Sequence, residues 1–235
     1  MDENFGKLGI QDFFNVLFVG GIFGICASWV CPFLWNIYTG IGDNYKYERY
    51  VGTILILFGI GIVMQELSST WDDKVGKIKE NVLAKFLTDS TVIGNEVKWK
   101  IYRKLGKDVL REKGKSFHKD FTNEQCKFIY AYCLYYIENR GKSGKYEKMR
   151  GLFDMAKTLK FCCAILAGLS MTNILWILYV NEIIYSREIS VSILQVLLFL
   201  ISSKIFDNRA KRCMRYKTRM LMEVYDVCKD LEKTS

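Results

Sequence analysis

Four long apolar stretches most constrain what this 235-residue chain can fold into. The first, residues 13–38, contains no charged side chain, and as a helix it would extend about 39 Å, more than the hydrocarbon core of a bilayer requires. The others are residues 50–66, 159–180 and 189–205, the last two joined by a short polar link. We therefore predict an all-α, polytopic membrane protein with four transmembrane helices and a helical cytoplasmic domain.

Proline is nearly absent from the chain. Pro32 is the only one, where average composition would give about a dozen. Because proline interrupts helices, its scarcity favours long unbroken ones, and Pro32 itself is expected to bend the first helix or to end its regular part. The N-terminus, MDENFGKLGIQD, lacks the basic front of a signal peptide, so we expect the first helix to be retained.

The distribution of Lys and Arg predicts the orientation in the membrane. Of the 34 basic residues, 21 lie within 67–160 and nine lie after residue 203, whereas the two links between paired spans hold three. By the positive-inside rule, both termini lie in the cytoplasm and the protein is a multi-pass component of the inner (plasma) membrane. The net charge of +9 is thus partly a signal of topology.

This distribution divides the chain into four parts. They are an N-terminal transmembrane hairpin (1–66), a basic cytoplasmic domain (67–158), a second transmembrane hairpin (159–205) and a cytoplasmic tail (206–235). The cytoplasmic domain has helical periodicity throughout, including a helix that starts near Thr122 and is ended by Gly141. The second and third spans are predicted to continue into this domain as unbroken helices.

The tail repeats apolar residues at spacings of three and four, which is the pattern of a coiled-coil seam. When the same helical face is followed back into the fourth span, it contains that span's polar residues. One interpretation is a homo-oligomer, for which a tetramer is one arrangement, with a central pathway closed by Phe199. The other is that the serines bond their own backbone, Gln195 bonds a neighbouring helix and the seam packs on the head. The predicted seam is Ala210, Cys213, Met220, Val224, Val227 and Leu231, and the predicted pore-lining residues are Glu188, Ser192, Gln195, Phe199 and Ser202.

Gly20 and Gly24 form a GxxxG pair in the first span. Such a pair lets another helix approach closely, and we assign it to oligomerisation. The alternative is that both glycines face lipid.

Catalytic and metal chemistry is not indicated by the sequence. His118 is the only histidine, the cysteines form no CxxC pair, and Asp72 with Asp73 fits a solvated turn. The segment 141–143, Gly-Lys-Ser, lacks the earlier glycine of a phosphate-binding loop and fits a helix-ending turn. We predict no enzyme activity, no metal and no cofactor.

A basic run in the cytoplasmic domain is the candidate ligand site. On a helix its cations share one face, with aromatic residues nearby for stacking. Three interpretations remain open: a nucleotide or single-stranded oligonucleotide, anionic lipid headgroups, or a solvated surface. The residues are Lys98, Trp99, Lys100, Tyr102, Arg103, Lys104, Lys107 and Arg111.

The segment CKFIYAYCLYYIENRGKSGKYEKMRGLFDM before the third span, taken with the order of spans, head and tail, resembles small bacterial membrane effectors of anti-phage defence. Among these is the ion-channel-like effector of Hailong systems. The resemblance implies an oligomeric, nucleotide-controlled pore that depolarises the membrane, with a partner nucleotidyltransferase, and it assigns no individual residue a role.

Two functions follow as hypotheses. The first is a channel-like effector gated by a nucleotide or oligonucleotide at the basic domain. The second is a non-conducting membrane scaffold that recruits a cytoplasmic partner. A lipid-processing enzyme is disfavoured because the spans contain no convergent set of catalytic polar residues.

Overall fold

In the computed structural model, the described part of the chain is residues 5–31, 46–75, 123–180 and 186–234. Five helices account for 96% of these residues, and no strand occurs among them. The predicted all-α class is confirmed. The helices are α1 (Phe5–Val30), α2 (Lys46–Val75), α3 (Asn123–Glu138), α4 (Gly144–Val180) and α5 (Ser186–Thr234).

Four of these helices, α1, α2, α4 and α5, each contain a segment long and apolar enough to cross a membrane. Large apolar side chains are exposed along them, including Ile25 at 72%, Trp176 at 64% and Leu194 at 60%. So much exposed apolar surface is unfavourable in water and favourable in lipid. The structure is therefore that of a multi-pass membrane protein.

The structure describes the first span as far as Cys31. Helix α1 ends at Val30, and the rest of the predicted span, 32–38, lies outside the described residues. Cys31 directly precedes Pro32, and a proline disfavours the α conformation in the residue before it. An end of the regular helix is one of the two predicted effects of Pro32.

The chain divides into two compact units. Unit 1 contains Met1–Lys74 and Gly151–Ala210, and unit 2 contains Val75–Arg150 and Lys211–Ser235. Helices α4 and α5 each supply residues to both units without a break. The predicted continuity of the third span with the preceding cytoplasmic helix is thus confirmed.

Unit 1 packs α1 against the other spans through small side chains. A Cβ atom added at Gly20 would lie 1.8 Å from the carbonyl oxygen of Leu57, and one at Gly61 would lie 2.1 Å from that of Val16. The backbones of α1 and α2 therefore touch, an approach that only glycine permits.

Unit 2 packs α3 against the last part of α5 through large side chains. Ile129, Cys133 and Ile137 recur every four residues on α3 and are fully buried against Leu221 and Tyr225 of α5. This core has the ordinary character of a water-soluble helical domain.

The turn between α3 and α4 is a helix-ending motif. Gly141 has a φ of 63°, its N–H donates to the carbonyl of Glu138 at 3.0 Å, and the N–H of Lys142 donates to that of Ile137 at 3.0 Å. These two bonds define a Schellman motif, for which glycine is favoured because an L side chain is strained at positive φ. The prediction that Gly141 ends the helix is confirmed.

Candidate functional site

The interior of unit 1 contains polar side chains. Thr158 is 2% exposed and Ser170 is fully buried, and each donates its hydroxyl to a carbonyl four residues earlier on α4, that of Asp154 and that of Leu166. Ser192 and Gln195, on α5, are each 4% exposed. Polar groups buried within spans are costly unless they are paired, so their positions are informative about function.

Gln195 is a polar residue that joins α5 to α1. Its Nε2 donates to the carbonyl of Trp29 at 3.5 Å, the long end of the hydrogen-bond range. Trp29 lies in the last turn of α1, where carbonyls lack partners within their own helix. The Oε1 of Gln195 is buried and accepts no hydrogen bond within the described part of the protein. Gln195 therefore tethers α1 to α5 with only one end of its amide.

Phe199 lies one turn further along the same face of α5. It is 2% exposed and packs with Ala27, Val30 and Leu166, and its ring centroid lies 6.3 Å from that of Trp29. In this structure the face predicted to line a pathway is thus turned into its own chain. The bond from Gln195 to a neighbouring helix is the one that the alternative interpretation of this face expects.

The remaining predicted pore-lining residues lie at the two ends of this face. Glu188 is exposed in the first turn of α5, where a carboxylate interacts favourably with the helix dipole. Ser202 is partly exposed. The structure thus brings Ser192, Gln195 and Phe199 together and leaves the other two at the rim.

The GxxxG pair serves a contact within the chain. The helix that approaches Gly20 is α2, and a Cβ added at Gly24 would lie 2.6 Å from Cδ2 of Leu57. We therefore correct its predicted role from oligomerisation to packing of α1 on α2. The close approach itself is confirmed.

The tail of α5 buries a different line from the predicted seam. The buried residues at alternating spacings of four and three are Met214, Thr218, Leu221, Tyr225 and Cys228.

Of the predicted seam, Ala210 and Cys213 are buried within the chain, Met220 and Val224 are partly exposed, and Val227 and Leu231 are 58% and 63% exposed. The buried face of α5 differs from the predicted seam because it includes Lys217 and Thr218, which are polar. Oligomerisation through the exposed members stays a prediction.

The basic run over residues 98–111 lies outside the described residues. So do His118 and, for their side chains, Asp72 and Asp73. The nucleotide, lipid and solvent interpretations of that run stay predictions.

A cluster of tyrosines and cations in unit 2 was missed by the sequence reasoning. The rings of Tyr132 and Tyr136 are stacked with centroids 6.4 Å apart, and Tyr136 meets Tyr225 edge-on at 5.1 Å. Two cations, Arg140 at 4.8 Å and Lys229 at 5.1 Å, lie against the ring of Tyr136. We call Tyr132, Tyr136, Arg140 and Lys229 the tyrosine–cation cluster.

A third cation lies deeper in the same unit. Lys217 is only 8% exposed, and its Nζ lies 6.0 Å from the ring centroid of Tyr130 and 5.7 Å from that of Tyr146. The hydroxyls of these two tyrosines are hydrogen-bonded to each other. Aromatic faces attract cations, which explains how a lysine is accommodated at this depth. The tyrosines between residues 130 and 136 are the sequence feature that could have indicated these tyrosine–cation contacts.

No group of His, Cys, Asp and Glu able to hold a metal occurs among the residues that the structure describes. No protein-family model matches the chain, and neither does any curated protein or solved structure.

Proposed function

We propose that this chain is the subunit of an oligomeric, channel-like membrane effector, opened or closed by a nucleotide or oligonucleotide at its cytoplasmic domain. The observation that carries the proposal is the continuity of α4 and α5, each of which belongs to both units. A continuous helix moves as one element, so ligand binding in unit 2 has a direct mechanical route to the spans.

The conducting pathway in this proposal is the polar face of α5. In the present structure that face is closed, because Phe199 is packed against α1 and Gln195 is bonded to Trp29. A rotation of α5 would turn Ser192 and Gln195 away from α1 and toward the axis of the oligomer. Polar side chains along such an axis replace water around an ion, and an aromatic constriction excludes water when closed.

The ligand in this proposal is anionic and carries a base that stacks. The tyrosine–cation cluster offers a stacked aromatic pair with two cations within about 5 Å of one ring. This is the chemistry that binds nucleobases together with phosphates. The basic run over 98–111 adds charge to the same domain. The resemblance to anti-phage effectors would make a nucleotidyltransferase the source of the ligand.

Recording of membrane potential during induced expression tests the pathway. Phe199→Ala removes the constriction and should deepen depolarisation, whereas Gln195→Leu should reduce it. The matched control is Leu198→Ala, because Leu198 adjoins Phe199 but is 43% exposed. If all three variants behave like the original protein at equal membrane abundance, the pathway along α5 is excluded.

Thermal unfolding of the purified protein with mononucleotides, cyclic nucleotides and short oligonucleotides tests the ligand. Arg140→Gln should weaken the response by about two- to fivefold in apparent affinity, since an exposed cation–aromatic contact is worth about 0.5–1 kcal/mol. Lys142→Gln is the control, because Lys142 is exposed two residues away. An equal loss in both variants would indicate non-specific attraction of anions.

One observation favours the scaffold as the second candidate. Val227 and Leu231 form an exposed apolar line on α5, at the spacing of a helix–helix contact. Replacing both with serine leaves the buried core of unit 2 intact. Under the scaffold function, this double variant loses capture of a cytoplasmic partner while ion flux stays unchanged.

A further inference from the structure

A groove in unit 1 lies between the last turns of α2 and the middle of α4. Its volume is about 310 Å³, and its walls are largely apolar, formed by Trp71 of α2 and by Phe161, Ala164 and Ile165 of α4. The rings of Trp71 and Phe161 are in contact, with centroids 6.0 Å apart. The pathway and the tyrosine–cation cluster described above use none of these side chains.

The character of the groove changes along α4. Lys157 and Lys160 line one end, and Phe161, Ala164 and Ile165 line the rest. Spacings of three and four residues place all five on one face of the helix. Within about two helical turns, that face therefore passes from two cations to an apolar surface.

The cationic end of the groove lies at the membrane boundary of both helices. The lysines precede the apolar part of α4, and Trp71 is the last residue of the apolar segment of α2. Tryptophan is enriched at the level of lipid headgroups.

An ion pair fixes one of the two cations at this level. Lys160 Nζ donates to Asp207 Oδ1 at 2.7 Å, yet the Lys160 side chain remains 35% exposed while that of Asp207 is 13% exposed. The pair positions the ammonium group without covering it. Lys157 adds a second ammonium group to this end of the groove.

We propose that this groove binds an anionic phospholipid, with its phosphate at Lys157 and Lys160 and one acyl chain along Phe161, Ala164 and Ile165. Cationic pockets between spans at the cytoplasmic side are suited to such headgroups, and the predicted orientation places this groove there. A free phosphate would leave the apolar walls exposed, whereas a phospholipid satisfies both ends of the groove. The proposal does not depend on whether the protein conducts ions.

The test is native mass spectrometry of the full chain released from nanodiscs containing equal amounts of phosphatidylglycerol and phosphatidylcholine of the same chain length. We expect retained phosphatidylglycerol in preference to phosphatidylcholine. Lys157→Gln should lower that preference by about fivefold, since a lysine near an anionic lipid surface contributes about 1 kcal/mol. Lys160→Gln should do the same. Lys204→Gln, at an exposed lysine of α5 outside the groove, should leave the preference unchanged.

A second variant tests the acyl-chain seat without altering charge. Ala164→Trp fills the groove and should abolish retention while far-UV circular dichroism stays that of the original protein. Unchanged retention in Lys157→Gln, an equal loss in Lys204→Gln, or unchanged retention in Ala164→Trp would each overturn the proposal. Equal displacement of lipid by soluble glycerol phosphate would also overturn it, because the site would then recognise a free phosphate.

Discussion

The two halves of α5 expose different side chains. In unit 1 the helix buries Ser192 and Gln195 and exposes Leu197, whereas in unit 2 it buries Leu221 and Tyr225 and exposes basic residues. Where lipid surrounds a helix, apolar side chains point outward, and where water surrounds it, they point inward. The contrast is the one expected for a first half in lipid and a second half in water.

The packing of the two units differs in the same sense. Unit 1 has close backbone contact at Gly20 and Gly61, while unit 2 has a core of large side chains such as Ile129 and Leu221. Lipid provides no hydrophobic drive between helices, so van der Waals contact has to supply it. In unit 2, burial of apolar surface provides the drive.

The largest expected effect tests the core of unit 2. Leu221→Ala should lower the free energy of unfolding by about 4 kcal/mol, because it removes a fully buried side chain and leaves a cavity. Denaturant titration followed by circular dichroism measures this loss. Val227→Ala, at a 58% exposed position of the same helix, should change it by less than about 0.5 kcal/mol. Similar losses in the two variants would mean that this face is not the core.

The next effect tests which solvent surrounds each half. Leu197→Lys introduces a charge at a position of α5 that is 52% exposed in unit 1, and membrane insertion should become less favourable by about 3 kcal/mol. Val227→Lys, at an equally exposed position in unit 2, should have almost no effect. A glycosylation-based insertion assay compares the two. Tolerance of lysine at both positions would show that Leu197 does not face lipid.

A smaller effect tests the backbone contact of unit 1. Gly20→Ala should destabilise the pairing of α1 with α2 by about 2 kcal/mol, because its Cβ would overlap the Leu57 carbonyl. A Cβ atom added at Gly21 would have no neighbour within 4 Å. Gly21→Ala should therefore be neutral, or stabilising by up to about 1 kcal/mol because alanine has the higher helix propensity. The midpoint of unfolding in detergent distinguishes them. Equal midpoints would rule out the contact.

The smallest effect is a pH dependence in unit 2. Burial raises the pKa of the Cys133 thiol from 9.0 to about 12. The unfolded thiol ionises above pH 9 while the folded one does not, so the stabilisation is complete below pH 9 and is lost as the pH rises toward 12. At pH 10 the loss attributable to Cys133 should be about 1 kcal/mol. The measurement is the free energy of unfolding as a function of pH above pH 9, in the original protein and in Cys133→Ala. If it falls with the same slope in both, the burial of Cys133 is contradicted.

Much of the fold could be predicted from the sequence because spans, caps and helix continuity are local properties. The apolar stretches predict α1, α2, α4 and α5, and Gly141 predicts the end of α3. Pro32 predicts either a bend in the first helix or its end, and α1 ends at Val30.

The partners of each face could not be predicted in the same way. Periodicity shows that a face is distinctive but not what it contacts. For the polar line of α5 it leaves open both a pathway in an oligomer and contacts within the chain, and the glycines of α1 are predicted to contact another subunit. The predicted seam includes Val227 and Leu231 because both are apolar, but both are exposed in the structure. Thr218, a polar residue that the predicted seam omits, is buried instead. The tyrosine–cation cluster joins residues about 90 positions apart, and no local pattern predicts such a pairing.

The discontinuity of unit 2 also sets an order on biosynthesis. Its core joins Ile129 and Cys133 to Leu221 and Tyr225, so that core is incomplete until the ribosome has passed Tyr225. All four spans have by then been synthesised and are available to the insertion machinery. The domain proposed to sense the ligand thus matures after the spans, and a chain truncated before Leu221 lacks the finished core of that domain.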